Sequence, residues 1–156
     1  MKFSTAGLLT LFVTMSCLAQ NNLSTITEKN GMIGIGTNTP DEMLTVKGKI
    51  HTQEVLVDLN GAVAPDYVFE KYYEGVSTSQ SEYRMLDLKS LEDFLKKNHH
   101  LPEIPSAARL KEEGLELKKM NLLLLQKIEE LTLYTIEQQK QINRLQEQVT
   151  LLMKQS

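Results

Sequence analysis

The chain has 156 residues, which suits one domain or a small domain with appendages. It carries 17 Lys and Arg against 20 Asp and Glu, so the net charge is −3. This balance argues against a nucleic-acid binder, which needs clustered positive charge. The single cysteine, Cys17, excludes a disulfide framework and a cysteine-based zinc site. No cofactor or metal is expected.

Residues 1–19 have the pattern of a secretory signal peptide. Lys2 precedes an apolar core at residues 8–13, and Ala19 precedes the expected cleavage point. The core is too short for a transmembrane span, which needs roughly 20 residues. Lipidation of Cys17 is the alternative interpretation. Both interpretations predict a protein that is extracellular or attached to the cell surface.

The next part of the chain predicts β structure after a linker. Residues 20–31 are polar and aperiodic, which is typical of a linker. Residues 32–60 predict short strands, and their alternation of apolar with small or polar residues is clearest at 32–36, 44–50 and 54–59. Turns are predicted around Pro40 and at Asn60-Gly61. Strands this short cannot bury a core alone, so they need partner chains or the rest of this chain.

Three glycines in this region have a spacing close to that of a phosphate-binding loop. Gly31, Gly34 and Gly36 read G-x-x-G-x-G, whereas a dinucleotide-binding loop reads G-x-G-x-x-G between a strand and a helix. We therefore interpret them as sites of tight strand packing or β-bulges.

Residues 61–115 predict a small mixed α/β segment. The aromatic stretch at residues 65–70 predicts a short strand. Apolar residues at helical spacing in residues 88–95 predict a helix, with Asp87 or Ser90 as its N-cap.

That helix is predicted to end at the adjacent His99 and His100. Adjacent histidines do not readily bind one metal ion together, and only Glu103 is close in sequence. A structural role at the helix C-terminus, where the backbone dipole favours positive charge, is preferred. A second short helix is predicted to start at Ser106 and to stop at Gly114.

From Leu117 onward, a heptad repeat continues without proline or glycine. The a positions are Asn121, Ile128, Thr135, Ile142 and Val149, and the d positions are Leu117, Leu124, Leu131, Gln138, Leu145 and Leu152. Eight of these eleven residues are apolar, which is typical of a coiled coil. One copy cannot bury this stripe, so self-association is predicted. Thr135 and Gln138 form a polar layer that is expected to fix the register.

The residues that flank the stripe predict the number of helices in the coil. Among the ten e and g residues from Met120 to Met153 only Lys127 is charged, whereas dimers keep most of these positions charged. We therefore expect a parallel trimer. The alternative is a hairpin in which the helix packs on residues 86–113. Partial packing of that kind is expected near Met120, where leucines widen the apolar face.

Several motifs resemble those of bacterial tail-fibre-like secreted proteins. They are residues 34–40 (GIGTNTP), 44–50 (LTVKGKI), 65–70 (PDYVFE), 100–107 (HLPEIPSA) and 127–134 (KIEELTLY). The C-terminal region is distantly similar to the endosialidase-type intramolecular chaperone domain. The resemblance implies a secreted fibre or surface protein that assembles as a homotrimer.

In some fibres such a chaperone domain cuts itself off by Ser–Lys chemistry, with the motif Ser-Asp-x-Arg-x-Lys. The closest stretch here is residues 81–86 (SEYRML), where Leu86 occupies the place of the activating lysine. Lys89 lies three residues further along the chain. Self-cleavage is therefore not expected, and the chain is predicted not to be an enzyme.

Together these features predict an α+β fold with a short β fibre-stem segment, a small mixed α/β segment and a coiled-coil helix at residues 116–156. The predicted function is a non-enzymatic structural module that self-assembles. An adhesin is the first alternative, because Tyr72, Tyr73 and Tyr83 have rings that stack on surface glycans when exposed. A self-cleaving peptidase is the second alternative.

Overall fold

The computed structural model describes residues 25–155, which form two compact units divided between Val55 and Leu56. Within these residues the architecture is α+β, as predicted, with one three-stranded sheet in the first unit and four helices in the second. The predicted cleavage point after Ala19 and the lipidation candidate Cys17 lie outside the described residues.

The sheet comprises β1 (Ile26–Lys29), β2 (Met32–Ile35) and β3 (Leu44–Val46), in that order. β1 and β2 are antiparallel, whereas β2 and β3 are parallel. A two-residue turn joins β1 to β2, and both of its residues, Asn30 and Gly31, have positive φ, as a type I′ hairpin requires. The Gly31 amide also donates to Glu28 Oε1 at 2.9 Å, which fixes the turn.

The predicted β structure at residues 32–60 is only partly correct. β1 lies inside the stretch predicted as a linker, residues 20–31, because that prediction overlooks the hairpin signal Asn30-Gly31. The strand predicted at residues 54–59 is absent, since this stretch has no hydrogen-bonded partner strand among the described residues. Asn60-Gly61 does form the predicted turn, but it joins no strands.

The tight packing predicted for the glycines is confirmed at Gly34. A Cβ atom there would lie 2.4 Å from the carbonyl oxygen of Thr37 and 2.8 Å from Thr27 Oγ1. The Thr27 hydroxyl donates to that same carbonyl at 2.6 Å. The loop after β2 therefore packs on this face of the sheet through a contact that leaves no room for a side chain at Gly34.

The second unit contains α1 (Tyr67–Glu74), α2 (Leu88–Asn98), α3 (Ala107–Glu113) and α4 (Leu117–Gln155). The strand predicted at residues 65–70 is wrong, because this stretch begins α1. Residues 61–115 form helices and loops instead of the expected mixed α/β segment. Val68 and Tyr72 recur at the i, i+4 spacing of one helix face, and Pro65 stands before the first turn, where proline is tolerated.

Both helices predicted between residues 87 and 114 are confirmed. The carboxylate of Asp87 accepts from the Ser90 amide at 2.9 Å, so Asp87 is the N-cap of α2. The hydroxyl of Ser106 caps α3, which ends at Gly114. His99 caps the C-terminus of α2, since it has a left-handed backbone and its amide donates to the carbonyl of Leu95.

The long helix predicted at the C-terminus is confirmed as α4, which has 39 residues and is about 58 Å long. α1 packs on α4, and Val68 of α1 and Leu133 of α4 are each only 1% exposed. This small core leaves most of the large apolar side chains at the surface. None of the helices within residues 25–155 has the length and apolarity needed to cross a membrane.

Substitution of Gly34 by alanine should loosen the sheet. The new methyl group would displace the Thr37 carbonyl and break its hydrogen bond with Thr27. We expect amide hydrogen exchange in residues 26–46 to become at least about tenfold faster, which corresponds to about 1.4 kcal/mol. Gly48→Ala is the matched control, because a Cβ there meets no atom within 4 Å. Equal exchange in the two variants would contradict the close packing at Gly34.

Candidate functional site

The eight apolar a and d residues of α4, called the seam below, are all exposed. Their exposed fractions range from 44% to 66%. They are Leu117, Leu124, Ile128, Leu131, Ile142, Leu145, Val149 and Leu152. The polar-layer residues Thr135 and Gln138 are also exposed. The heptad residues therefore lie together on a helix face that no described part of the same chain covers.

The opposite face of α4 is the one that its own chain covers. Gln126, Glu129 and Leu133 are buried, and they occupy the f, b and f positions of the heptad. In an ordinary coiled coil these positions face water. Here they face the segment that contains α1, while the apolar seam faces outward.

A polar network fixes the contact on this covered face. Its centre is Gln126, whose Oε1 accepts from the Tyr67 hydroxyl at 2.9 Å and whose amide donates to the carboxylates of Glu103 and Glu130. Lys127 binds the same two carboxylates, at 2.9 Å and 3.0 Å. Each carboxylate is thus shared by an amide and an ammonium group. This arrangement ties the loop before α3 to the first half of α4.

Two further tyrosines complete the contact. The Tyr83 hydroxyl donates to Glu130 Oε1 at 3.0 Å, and its ring lies 5.0 Å from that of Tyr67, tilted by 59°. The Tyr134 hydroxyl donates to the carbonyl of Leu86. Burial raises the pKa of Tyr67, Tyr83 and Tyr134, and neighbouring glutamates raise it further. The three phenols therefore stay protonated and act as donors, as a structural contact needs.

Lys127, a g residue in the first half of α4, packs against other residues of its own chain. Its side chain is 11% exposed because Glu103 and Glu130 hold it. Its neighbours on the g side, Met120 and Tyr134, are also half-buried. The partial packing predicted near Met120 is confirmed, and the sequence did not indicate that it extends along the g side to Tyr134.

One buried group on the covered face lacks a partner. Glu129 is 6% exposed, and its Oε2 atom has no hydrogen-bond partner among residues 25–155. Burial raises the pKa of its carboxyl, and the charge of Asp66 raises it further. The charged form of Glu129 is thus a cost to the fold at neutral pH.

The two histidines do not form a metal site with their neighbours. His99 terminates α2 through its backbone, and the His100 ring stands edge-on to Phe94 with 5.7 Å between centroids. His100 Nδ1 lies 2.9 Å from the carbonyl of Leu101. The carboxylate of Glu103, the nearby acidic residue, already binds Gln126 and Lys127 in the polar network. No cluster of three or more potential metal ligands occurs in the described part of the chain.

The three tyrosines of the adhesin hypothesis have different environments. Tyr83 belongs to the polar network and is not free to stack on a ligand. Tyr72 and Tyr73 are 38% and 65% exposed, but their rings pack edge to face at 4.9 Å. Lys140 lies 5.8 Å from the Tyr72 ring centroid. An aromatic platform is therefore limited to the face of Tyr73.

Comparison of the chain with protein families, with characterised proteins and with solved structures finds no significant match. The resemblance to tail-fibre-like proteins and to their chaperone domain therefore stays a prediction from sequence motifs. Any functional conclusion depends on the geometry of the chain itself.

Replacing Glu129 by glutamine should stabilise the fold at pH 7. The folded-state pKa of Glu129 lies above the unfolded value of about 4.5, so the native carboxyl weakens the fold as pH rises through this range. We expect the free energy of unfolding at pH 7 to increase by about 1 kcal/mol. The gain should vanish below about pH 4, where the carboxyl is protonated in both states.

Thermal unfolding of both proteins between pH 3.5 and 7 measures this difference. Glu112→Gln is the control, because Glu112 is exposed on α3 and should give no gain. A constant difference between Glu129→Gln and the native chain at all these pH values would contradict the assignment of the cost to the buried charge.

Proposed function

We propose that this chain is a non-enzymatic structural protein that assembles copies of itself through α4 into a parallel coiled coil of three chains. The observation that carries the proposal is the exposure of all eight seam residues while the chain's own helices pack on the opposite face of α4. The usual reason for an exposed apolar heptad stripe is that identical stripes cover it.

The driving force is the apolar area that remains exposed in one chain. Burying a leucine or isoleucine completely contributes roughly 1.5–3 kcal/mol relative to full exposure. The seam residues are 44–66% exposed, so about half of this gain is still available at each of them. Because folding of α4 alone leaves this gain unrealised, folding and assembly become one process that depends on concentration.

The flanking residues support the number of chains, and the polar layer supports their register. On the e side, Leu125 is 43% exposed and Thr132 is also open, so the apolar stripe is wider than a and d alone. Wide, uncharged flanks favour three helices over two. The Thr135 and Gln138 layer favours one register, because a shifted register would oppose these polar groups to leucine or isoleucine.

Location outside the cell is part of the proposal and rests on the sequence of residues 1–19. Protein recovered from outside the expressing cell should begin at Gln20 when its N-terminus is sequenced. A blocked N-terminus at Cys17 with the added mass of a lipid would support the lipoprotein alternative. Retention of residues 1–19 on the exported chain would contradict both interpretations.

Placing an aspartate in the seam should dissociate the assembly. Leu145→Asp puts one carboxylate per chain into the buried interface, where an unpaired charge costs several kcal/mol. We expect association to weaken by at least about 100-fold, since each 1.4 kcal/mol is a factor of ten. Sedimentation equilibrium at micromolar concentration should find three chains per particle for the native protein and single chains for the variant.

Leu151→Asp is the matched control for this experiment. Leu151 is 59% exposed and Leu145 is 60% exposed, and both lie in the same part of α4, but Leu151 is at a c position outside the seam. It should therefore leave the mass of the particle unchanged. A native chain that is monomeric at micromolar concentration, or equal effects of the two substitutions, would refute the proposal.

A further inference from the structure

The three-stranded sheet has one apolar face and one polar face. Cross-strand partners lie on the same face of a sheet. Two rows across the three strands, Ile26–Ile35–Val46 and Glu28–Ile33–Leu44, therefore place five apolar residues on one face. We call Ile26, Ile33, Ile35, Leu44 and Val46 the apolar sheet face. The opposite face carries the central row Thr27, Gly34 and Thr45, which we call the threonine face.

The chain's own residues cover the threonine face. The Thr45 hydroxyl donates to Asp41 Oδ1 at 2.8 Å and accepts from the Asp41 amide at 3.0 Å. Gly34, Thr45 and Pro40 are buried there by the loop between β2 and β3. This loop is held by directional hydrogen bonds, so it cannot move to the other face without losing them.

The apolar sheet face has no such cover among the described residues. Ile26, Ile35 and Leu44 are 49%, 36% and 58% exposed. Its single charged residue, Glu28, is turned to the hairpin, where Oε1 accepts from the Gly31 amide. Small sheets are stabilised by burying an apolar face, and the described residues leave this face largely exposed.

We infer that the apolar sheet face is covered by the same face of other copies of this chain, so that the sheets form a second interface of the assembly. The inference rests on the proposed function, because the coil brings the copies together. Residues 47–55, which contain no helix or strand, follow the sheet within the first unit, and the chain then continues into the second unit, which carries α4. The sheets of one assembly are therefore tethered to helices that the proposed coil would hold together.

Tethering is the reason for choosing identical sheets as the occupant. A link of this kind raises the local concentration of each sheet to the order of millimolar. At that concentration a weak contact of five apolar residues is sufficient. The face has no free charge that would select a charged partner, because Glu28 is bound to the hairpin turn, and the proposed coil would bring one identical face from each copy.

Thiol reactivity of a cysteine on the sheet tests this inference in the full chain. Ile35→Cys is made in a Cys17→Ser background, so that it is the single thiol, with Leu44→Cys as a second reporter on the same face. Met43→Cys is the control, because Met43 is 73% exposed and belongs to the loop outside that face. Each reporter is measured with N-ethylmaleimide in the assembled protein and in the Leu145→Asp background.

We expect the Ile35→Cys and Leu44→Cys thiols to react at least about tenfold more slowly in the assembly than in the dissociated chain. The Met43→Cys thiol should react equally in both. A short bismaleimide should join two copies of the chain through Ile35→Cys. The mass of every sample is measured in parallel, so that the state of the coil is known independently.

Three results would overturn the inference while leaving the coil intact. Fast reaction in a trimeric assembly would mean that the apolar sheet face stays open to water. Slow reaction in the dissociated chain as well would mean that the chain covers this face itself. Slow reaction in the assembly without cross-linking between copies would assign the face to a different partner. A native chain that remains single would overturn the inference and the proposed function together.

Discussion

The described part of the chain packs on the side of α4 opposite its apolar seam, so the seam is exposed in a single copy. Gln126, Glu129 and Leu133 take the contacts with α1 and its neighbouring loops, and they point away from the seam. α4 is about 58 Å long, and its eight apolar seam side chains are exposed to water along this length. The sheet shows the same division, since its loop covers the threonine face and leaves the isoleucines open.

The covered face of α4 is chosen by directional bonds more than by apolar area. A hydrogen bond to a charged group contributes about 1.5–3 kcal/mol, and Glu103 and Glu130 each accept several such bonds. These bonds have a fixed geometry, so they hold α1 and the loop before α3 at one rotation about α4. The seam stays free as a result. Glu129 is the cost of this arrangement, because its carboxyl is buried without a partner for Oε2.

Local sequence signals predicted the parts of the fold that local chemistry determines. The heptad repeat predicted α4. The ends of the shorter helices were predicted from their capping residues, Asp87 for α2 and Ser106 and Gly114 for α3. The exposure of every apolar seam residue agrees with the face that the heptads define. The wrong predictions have different causes. β1 was missed because the local hairpin signal Asn30-Gly31 was overlooked, whereas residues 65–70 are helical because Val68 packs on α4. The polar network was not predictable, since Gln and Glu at outer heptad positions are ordinarily solvated.

The cover on α4 is uneven along its length. Lys140 hydrogen-bonds to Tyr72 in the second half of α4, and every described residue beyond it is exposed. A helical stretch of about 15 residues is only marginally stable in water without tertiary packing. In the proposed assembly, neighbouring copies would bury the seam residues of this stretch, so it would be more stable in the assembly than in a single chain. Proteases would then cleave this end of α4 faster in unassembled chains than in assembled ones.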